Sequence, residues 1–306
     1  MSLASGSDGR LRPGLQGGAT PLVAIALVVL VTAIFASIDT ASQIVVLSGV
    51  PVLLALWVRY VLQALATTLV VVPLRGGSVL RTGRVGLHAL RGVLLASGSL
   101  FLFMSLQHVS VGEMTAIMMI APLVVTGLAG VWLREHVSPL RWLLVVGGFA
   151  GTLVIIRPGA DSFSPALLLP LGQVACNAGF QLLTSRLART EDPMTLHLYT
   201  GWAGTVFLLP ALAFVDFAGV PAWVWWTLLG IGIGAAIGHF LLILAYQRVP
   251  ASQLMPYMYG QIGFAMLGGW LTQGRVPDGW SLAGIGLIAA CGLGSALLTM
   301  RERGAG

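Results

Sequence analysis

The sequence predicts an all-α polytopic membrane protein, with ten transmembrane helices arranged as two inverted five-helix repeats. Three observations lead there. The 306 residues are 57% hydrophobic and only 8% charged, where a soluble domain carries roughly 25% charged residues. The apolar residues gather into runs of membrane-spanning length. The pattern of the first half also recurs in the second.

In chain order, residues 1–19 form a polar, small-residue tail carrying Arg10, Arg12 and Pro13, expected to lie in the cytoplasm. The first apolar run begins at Thr20 and is too long for a signal-peptide core, so it is expected to remain as a helix. Hydropathy then places spans at 20–46, 51–73, 86–107, 111–133, 139–157, 163–187, 195–215, 221–247, 250–273 and 279–300. Pro51, Pro139, Pro165, Pro193, Pro221 and Pro250 stand at or near helix starts, where the missing N–H costs nothing. With the N-terminus inside, thirteen of sixteen Arg fall in or beside inner segments, including Arg91 and Arg141. Arg157 and Arg275 lie outside and Arg59 within a span, in accord with the positive-inside rule. Lys is absent. The net charge of +6 is spread over short loops between apolar runs, so no nucleic-acid partner is expected; the lipid bilayer is the expected surrounding.

The repetition is legible without gaps. The stretch GSLFLFMSLQHVSVGEMTAIMM from Gly98 lies over GHFLLILAYQRVPASQLMPYMY from Gly238, an offset of 140 residues. Glu113 falls on Gln253 and Met118 on Met258. The first repeat is drawn over 20–158 and the second over 163–302. Five helices per repeat send the second copy into the membrane from the opposite side. Such inverted repeats place a site near the midplane and support alternating access.

Several stretches resemble the EamA-domain branch of the drug/metabolite transporter superfamily. They are FASIDTASQ (35–43), WVRYVLQAL (57–65), the long run 90–125, LREHVSPLRW (133–142), GTLVIIRPG (151–159), TEDPMTLHLYTG (190–201), GHFLLILAYQRVPASQLMPYMYGQ (238–261) and ALLTMRER (296–303). The resemblance spans roughly 20–302 and implies the ten-helix fold and transport of a small organic solute. Many such proteins export amino acids, drugs or other metabolites, and a minority take up compounds such as riboflavin, S-adenosylmethionine or sugars. One departure concerns the acidic residue that often ends the fourth helix. It is present as Glu135, but its second-half counterpart is Arg275.

Charges inside a span are costly and face a wet cavity or one another. Asp39 and Arg59 lie within spans and Glu113 near the outer end of the fourth. Asp39 and Arg59 could pair, either as a structural clamp or as a substrate or proton site. Glu113 reads either as a proton carrier or as a solvated carboxylate at a helix N-terminus. Asn177 and Gln181, four apart, share a helix face. His239 could relay protons or simply hold a neighbour. Tyr257 and Gln261 are one turn apart, and Met118 faces either a cavity or ordinary packing. Pro122 and Pro256 interrupt the fourth and ninth spans at different places, as candidate hinges whose kinks need not match. Gly230, Gly234 and Gly238, and likewise Gly147 and Gly151, are spaced for close helix packing.

These features predict a secondary transporter of the bacterial cytoplasmic membrane, both termini inside, moving a small metabolite by alternating access. Export is the leading expectation and uptake the alternative; a channel or an intramembrane enzyme is remote. No phosphate-binding loop occurs, and GIGIGAAIG (230–238) lacks the preceding strand of a dinucleotide fold. Cys176 and Cys291 lie in apolar runs as packing residues, and no cofactor or metal is expected.

Overall fold

The computed structural model describes residues 21–105, 108, 117–157, 168–215, 219–274, 276 and 278–304. Among these there is no strand. The helices are α1 (Pro21–Leu47), α2 (Val52–Arg75), α3 (Val85–Ser105), α4 (Ala121–Trp132), α5 (Pro139–Ile156), α6 (Leu168–Ala188), α7 (Pro193–Leu208), α8 (Ala222–Arg248), α9 (Ala251–Met258), α10 (Gly260–Gln273) and α11 (Gly279–Gly304). Short 3-10 turns, Gly76–Leu80 and Leu209–Phe214, extend α2 and α7.

Seven helices among the described residues are long and apolar enough to cross a membrane, and α4 is a shorter apolar helix. α6 falls outside that group because Gln173, Asn177, Gln181, Thr184 and Ser185 dilute its apolar face. It still lies in the bundle, with most of its second half buried against neighbours. A helix shielded by protein does not need a lipid-compatible surface all round.

Helix ends follow local chemistry. Pro51, Pro221 and Pro250 precede α2, α8 and α9, and Pro139 and Pro193 open α5 and α7. Asp192 caps α7 by accepting from Met194 N at 2.7 Å, and Asp278 accepts from Ser281 N at 2.8 Å at the start of α11. Pro165 and Glu113 lie outside the described residues.

The span drawn at 250–273 is broken. α9 ends at Met258, Tyr259 turns, and α10 begins at Gly260. In the first half a turn at residues 119–120 precedes α4. The two breaks coincide at the 140-residue offset although Pro122 follows one and Pro256 precedes the other. Pro122 stands in the first turn of α4, where it is compatible with a helix, whereas Pro256 lies inside α9.

Every one of the closest packed pairs joins a helix before residue 157 to one after residue 167. α1 packs on α8, and α3 on α6; α3 packs on α7, and α2 on α8; α1 meets α10, and α4 meets α6. α2 with α7, α4 with α9 and α5 with α11 complete the set. Neighbours in sequence, such as α1 and α2, scarcely touch.

Small residues permit the closest approaches. A Cβ at Gly147 would stand 2.7 Å from Cys291 Sγ, and one at Gly284 would stand 2.6 Å from the Gly151 carbonyl, so α5 and α11 meet nearly backbone to backbone. On α8, Gly232 faces Leu62 of α2 while Gly234 and Gly238 face Ile38 and Phe35 of α1. Gly230 contacts nothing, so the expected stripe of three is a contact of two plus Gly232 on another helix.

Candidate functional site

Asp39 organises the interior. The lipid face of α1 carries exposed Leu22, Val23, Val29, Leu30 and Ile44. At about 100° per residue, Asp39 lies about 140° round from that face. On Asp39's own stripe Val28 and Thr32 are fully buried, yet Asp39 is exposed. The stripe is therefore tightly packed towards the start of α1 and accessible at Asp39, an inward-facing exposure that we read as a vestibule towards the end of α1.

α10 reaches Asp39 because glycines let it approach α1. Cβ atoms at Gly260 and Gly268 would lie 3.5 and 2.8 Å from Thr32 and Thr40 hydroxyl oxygens. Beside Gly260, Gln261 Nε2 donates to Asp39 Oδ2 at 2.7 Å. Arg59 does not close the expected ion pair. Its Nε has no partner, and its guanidinium lies 5.7 Å from the Tyr60 ring centroid. α2 carries it instead to a narrow cavity lined also by Ser42, Ala55, Phe103 and Leu228. No ion pair joins the two among the described residues: a neutral amide holds the carboxylate, and the guanidinium stays beyond ion-pair distance while still acting on it through space.

An aromatic layer floors the vestibule. The Phe35 and His239 rings lie 4.9 Å apart, and His239 meets Phe180 edge-on at 5.7 Å. His239 is buried with neither ring nitrogen hydrogen-bonded. α1 and α6 run in opposite senses through this layer, so Asp39 and Asn177 both stand one turn beyond it towards the open end. Gln181 Nε2 donates to Asn177 Oδ1 at 2.6 Å. Tyr257 and Gln261 are separated by the break: Tyr257 packs towards α11 near Gly292, and Tyr259 lies over Gly148 of α5. Met118 is partly buried at the first-half break.

The opposite end is sealed. α4 ends with the Glu135 N–H donating to the Ala129 carbonyl at 3.2 Å, and Arg134 adopts a left-handed conformation with φ 53°. That conformation costs a non-glycine residue about 1–2 kcal/mol. At the repeat-related position Gly274 adopts it without strain, with φ 67°. The turn aims Glu135 at the start of α9, where its buried carboxylate accepts from Ala251 N at 3.3 Å, Ser252 N at 3.0 Å and Arg189 Nη2 at 2.7 Å. Nearby, Glu191 accepts from the Thr82 hydroxyl at 3.1 Å and pairs with Arg84 at 3.7 Å. Thr195 and Tyr199 donate to the Val79 and Leu80 carbonyls. At the open end Arg157 bridges Asp278, both half exposed. Two hydrogen bonds from Ser281 and one from Arg157 hold the Asp278 carboxyl down to about 2.

Sequence reasoning missed Arg91. Counted among inner-segment arginines, it is fully buried within α3. It donates to Thr184 Oγ1, the Leu196 carbonyl and Thr200 Oγ1 at 2.7, 2.7 and 2.5 Å, and stacks 5.0 Å from Phe180. Arg141 is likewise buried, donating to Thr299. A position near a helix start was the only signal available, and it does not separate a surface Arg from one turned into the bundle.

The EamA-like transporter family matches residues 22–157 and again 164–298. This chain belongs to the EamA-like transporter family. A riboflavin transporter of Brucella anthropi is 30% identical to this EamA-family chain over 275 residues, covering 88% of it and 95% of the relative. A riboflavin transporter of Vibrio cholerae is 32% identical over 217 residues, covering 68% and 70%. A crystal structure superposes with a TM-score of 0.75 at 18% identity, over 92% of this chain and 98% of that one. The EamA-family chain is a bacterial-type multi-pass membrane transporter for a small molecule, as the names of the family and of these relatives indicate.

Proposed function

We propose that the chain is an alternating-access secondary carrier for a small hydrogen-bonding metabolite, with riboflavin or a similar heterocycle as its solute. The observation that carries this reading is the exposed Asp39–Gln261 pair on an interior face, held between the first half and the second. The reading includes ten spans in two inverted repeats, which the described helices support: adding 140 carries each helix before residue 157 onto one after residue 167, and the packed pairs come in matching sets. With both termini cytoplasmic, the sealed end with its arginines is inside and the vestibule opens outwards. Net flux is set by coupling to protons, by exchange or by the solute gradient.

Export led from the sequence alone. The riboflavin transporters among the relatives favour uptake, the direction that the family resemblance associates with that vitamin. The test is riboflavin flux in proteoliposomes of defined orientation, with and without a pH gradient. Saturable inward flux with counterflow is expected, and Asp39→Asn should lower it by about tenfold or more, the loss of a charge-assisted contact. No riboflavin flux in either direction sinks the solute assignment. Outward-only flux restores export, and normal flux through Asp39→Asn removes Asp39 from the site.

A further inference from the structure

We propose that Tyr246 sets the hydrogen-bonding polarity of the vestibule, compelling Asn177 to offer donors and so selecting solutes that bring an acceptor to that wall. The proposal rests on the carrier reading. Asn177 is the single asparagine in 306 residues. It is partly exposed although Leu171 and Ala175 mark the lipid face of α6. At about 100° per residue it lies about 200° round from Ala175, so its exposure is to the interior.

The relay has one sense. Tyr246 is fully buried on α8, and its hydroxyl donates to Gln181 Oε1 at 2.7 Å. That is its one hydrogen bond among the described residues. Turning the Gln181 amide would strand a buried phenol hydrogen, which is costly. With Oε1 committed to Tyr246, Gln181 Nε2 must donate, and it does so to Asn177 Oδ1 at 2.6 Å. The Asn177 oxygen is thereby turned towards Gln181 with one lone pair taken, and both Nδ2 hydrogens are left for the vestibule.

The facing wall has the opposite polarity. Gln261 spends one of its two amide hydrogens on Asp39 Oδ2, so that acceptors, its own oxygen and the other carboxylate oxygen, outnumber the one remaining donor. Above the Phe35–His239–Phe180 floor, the vestibule thus has acceptors on the α1–α10 side and donors on the α6 side. A planar heterocycle or a zwitterion with a donor at one end and a carbonyl, carboxylate or ring nitrogen at the other is the matching class.

The polarity can be read without any solute. Protein labelled with side-chain ¹⁵N-asparagine gives one amide pair. In the wild type those hydrogens should exchange freely with water; in Tyr246→Phe the freed Gln181 amide turns, and part of the Asn177 population becomes protected. A protected Asn177 amide in the wild type, or identical exchange in both proteins, overturns the proposal. For riboflavin, Tyr246→Phe should raise KM about five- to tenfold with Vmax within about twofold, the worth of one hydrogen bond. The rise should fall below about twofold in an Asn177→Ala background. Equal KM effects in both backgrounds would make Tyr246 merely structural and overturn the selecting role. Freely exchanging Asn177 hydrogens with no riboflavin flux would sink the solute assignment while leaving the relay standing.

Discussion

The two ends of the bundle are built differently. At the sealed end a buried carboxylate, Glu135, gathers two backbone N–H groups and a guanidinium from the other half, and Glu191 adds a second cluster. At the open end, among the described residues, the half-exposed pair Arg157–Asp278 ties the end of α5 to the start of α11. Contacts shielded from water hold elements together, whereas exposed pairs contribute little and are screened by salt. The difference teaches which end is held shut by buried contacts and which is not; on the carrier reading proposed above, that is one side of an alternating-access cycle.

The largest break should come from Glu135→Gln. The amide cannot accept all three donors as a charge, so stability should fall by about 1–3 kcal/mol. A cysteine at Ser252 should then label faster from the sealed side. Unchanged labelling and melting would show that the seal lies elsewhere. A smaller effect is expected for Glu191→Gln, which is more exposed. It should cost under about 1 kcal/mol, and its effect should shrink in high salt while that of Glu135→Gln persists. Equal salt sensitivity would erase the contrast between buried and exposed pairs.

The smallest effect belongs to Asp278→Asn, expected to leave flux within about twofold, as for an exposed pair. Its pH response has a definite sign. The folded carboxyl is lowered from 3.8 to about 2, so its contribution is present above the ordinary value. It fades as the pH falls through 4 towards 2. A wild-type melting temperature that drops over that window more than the variant's would agree; parallel profiles would not.

Much of the fold was legible because lipid imposes its demand residue by residue: long apolar runs and flanking prolines mark α1, α2, α8 and α11 directly. α6 was drawn from hydropathy at 163–187, yet it is polar enough to fall below the other spans, a composition compatible with the membrane once neighbours cover that face. The break at Tyr259 was not, because proline position alone does not say which turn opens. In the site, the Asn177–Gln181 contact follows from a spacing of four. Asp39 was visible as a charge in a span, but its partner was not: Gln261 lies 222 residues away and arrives through glycines on α10. Glu135, Tyr246 and Arg91 take their roles from helices of the opposite half, which no local pattern encodes.

The interleaving of the halves bears on synthesis. The Arg91 and Glu135 side chains find their described partners after residue 179, and α1, α2 and α3 hardly touch one another. A nascent chain halted after α5 would therefore hold a bare guanidinium and carboxylate at the bilayer with nothing to grip. Assembly must await the later helices, so an arrested first half should be protease-sensitive until its complement is supplied in the same membrane. A first half that resists protease on its own would contradict this.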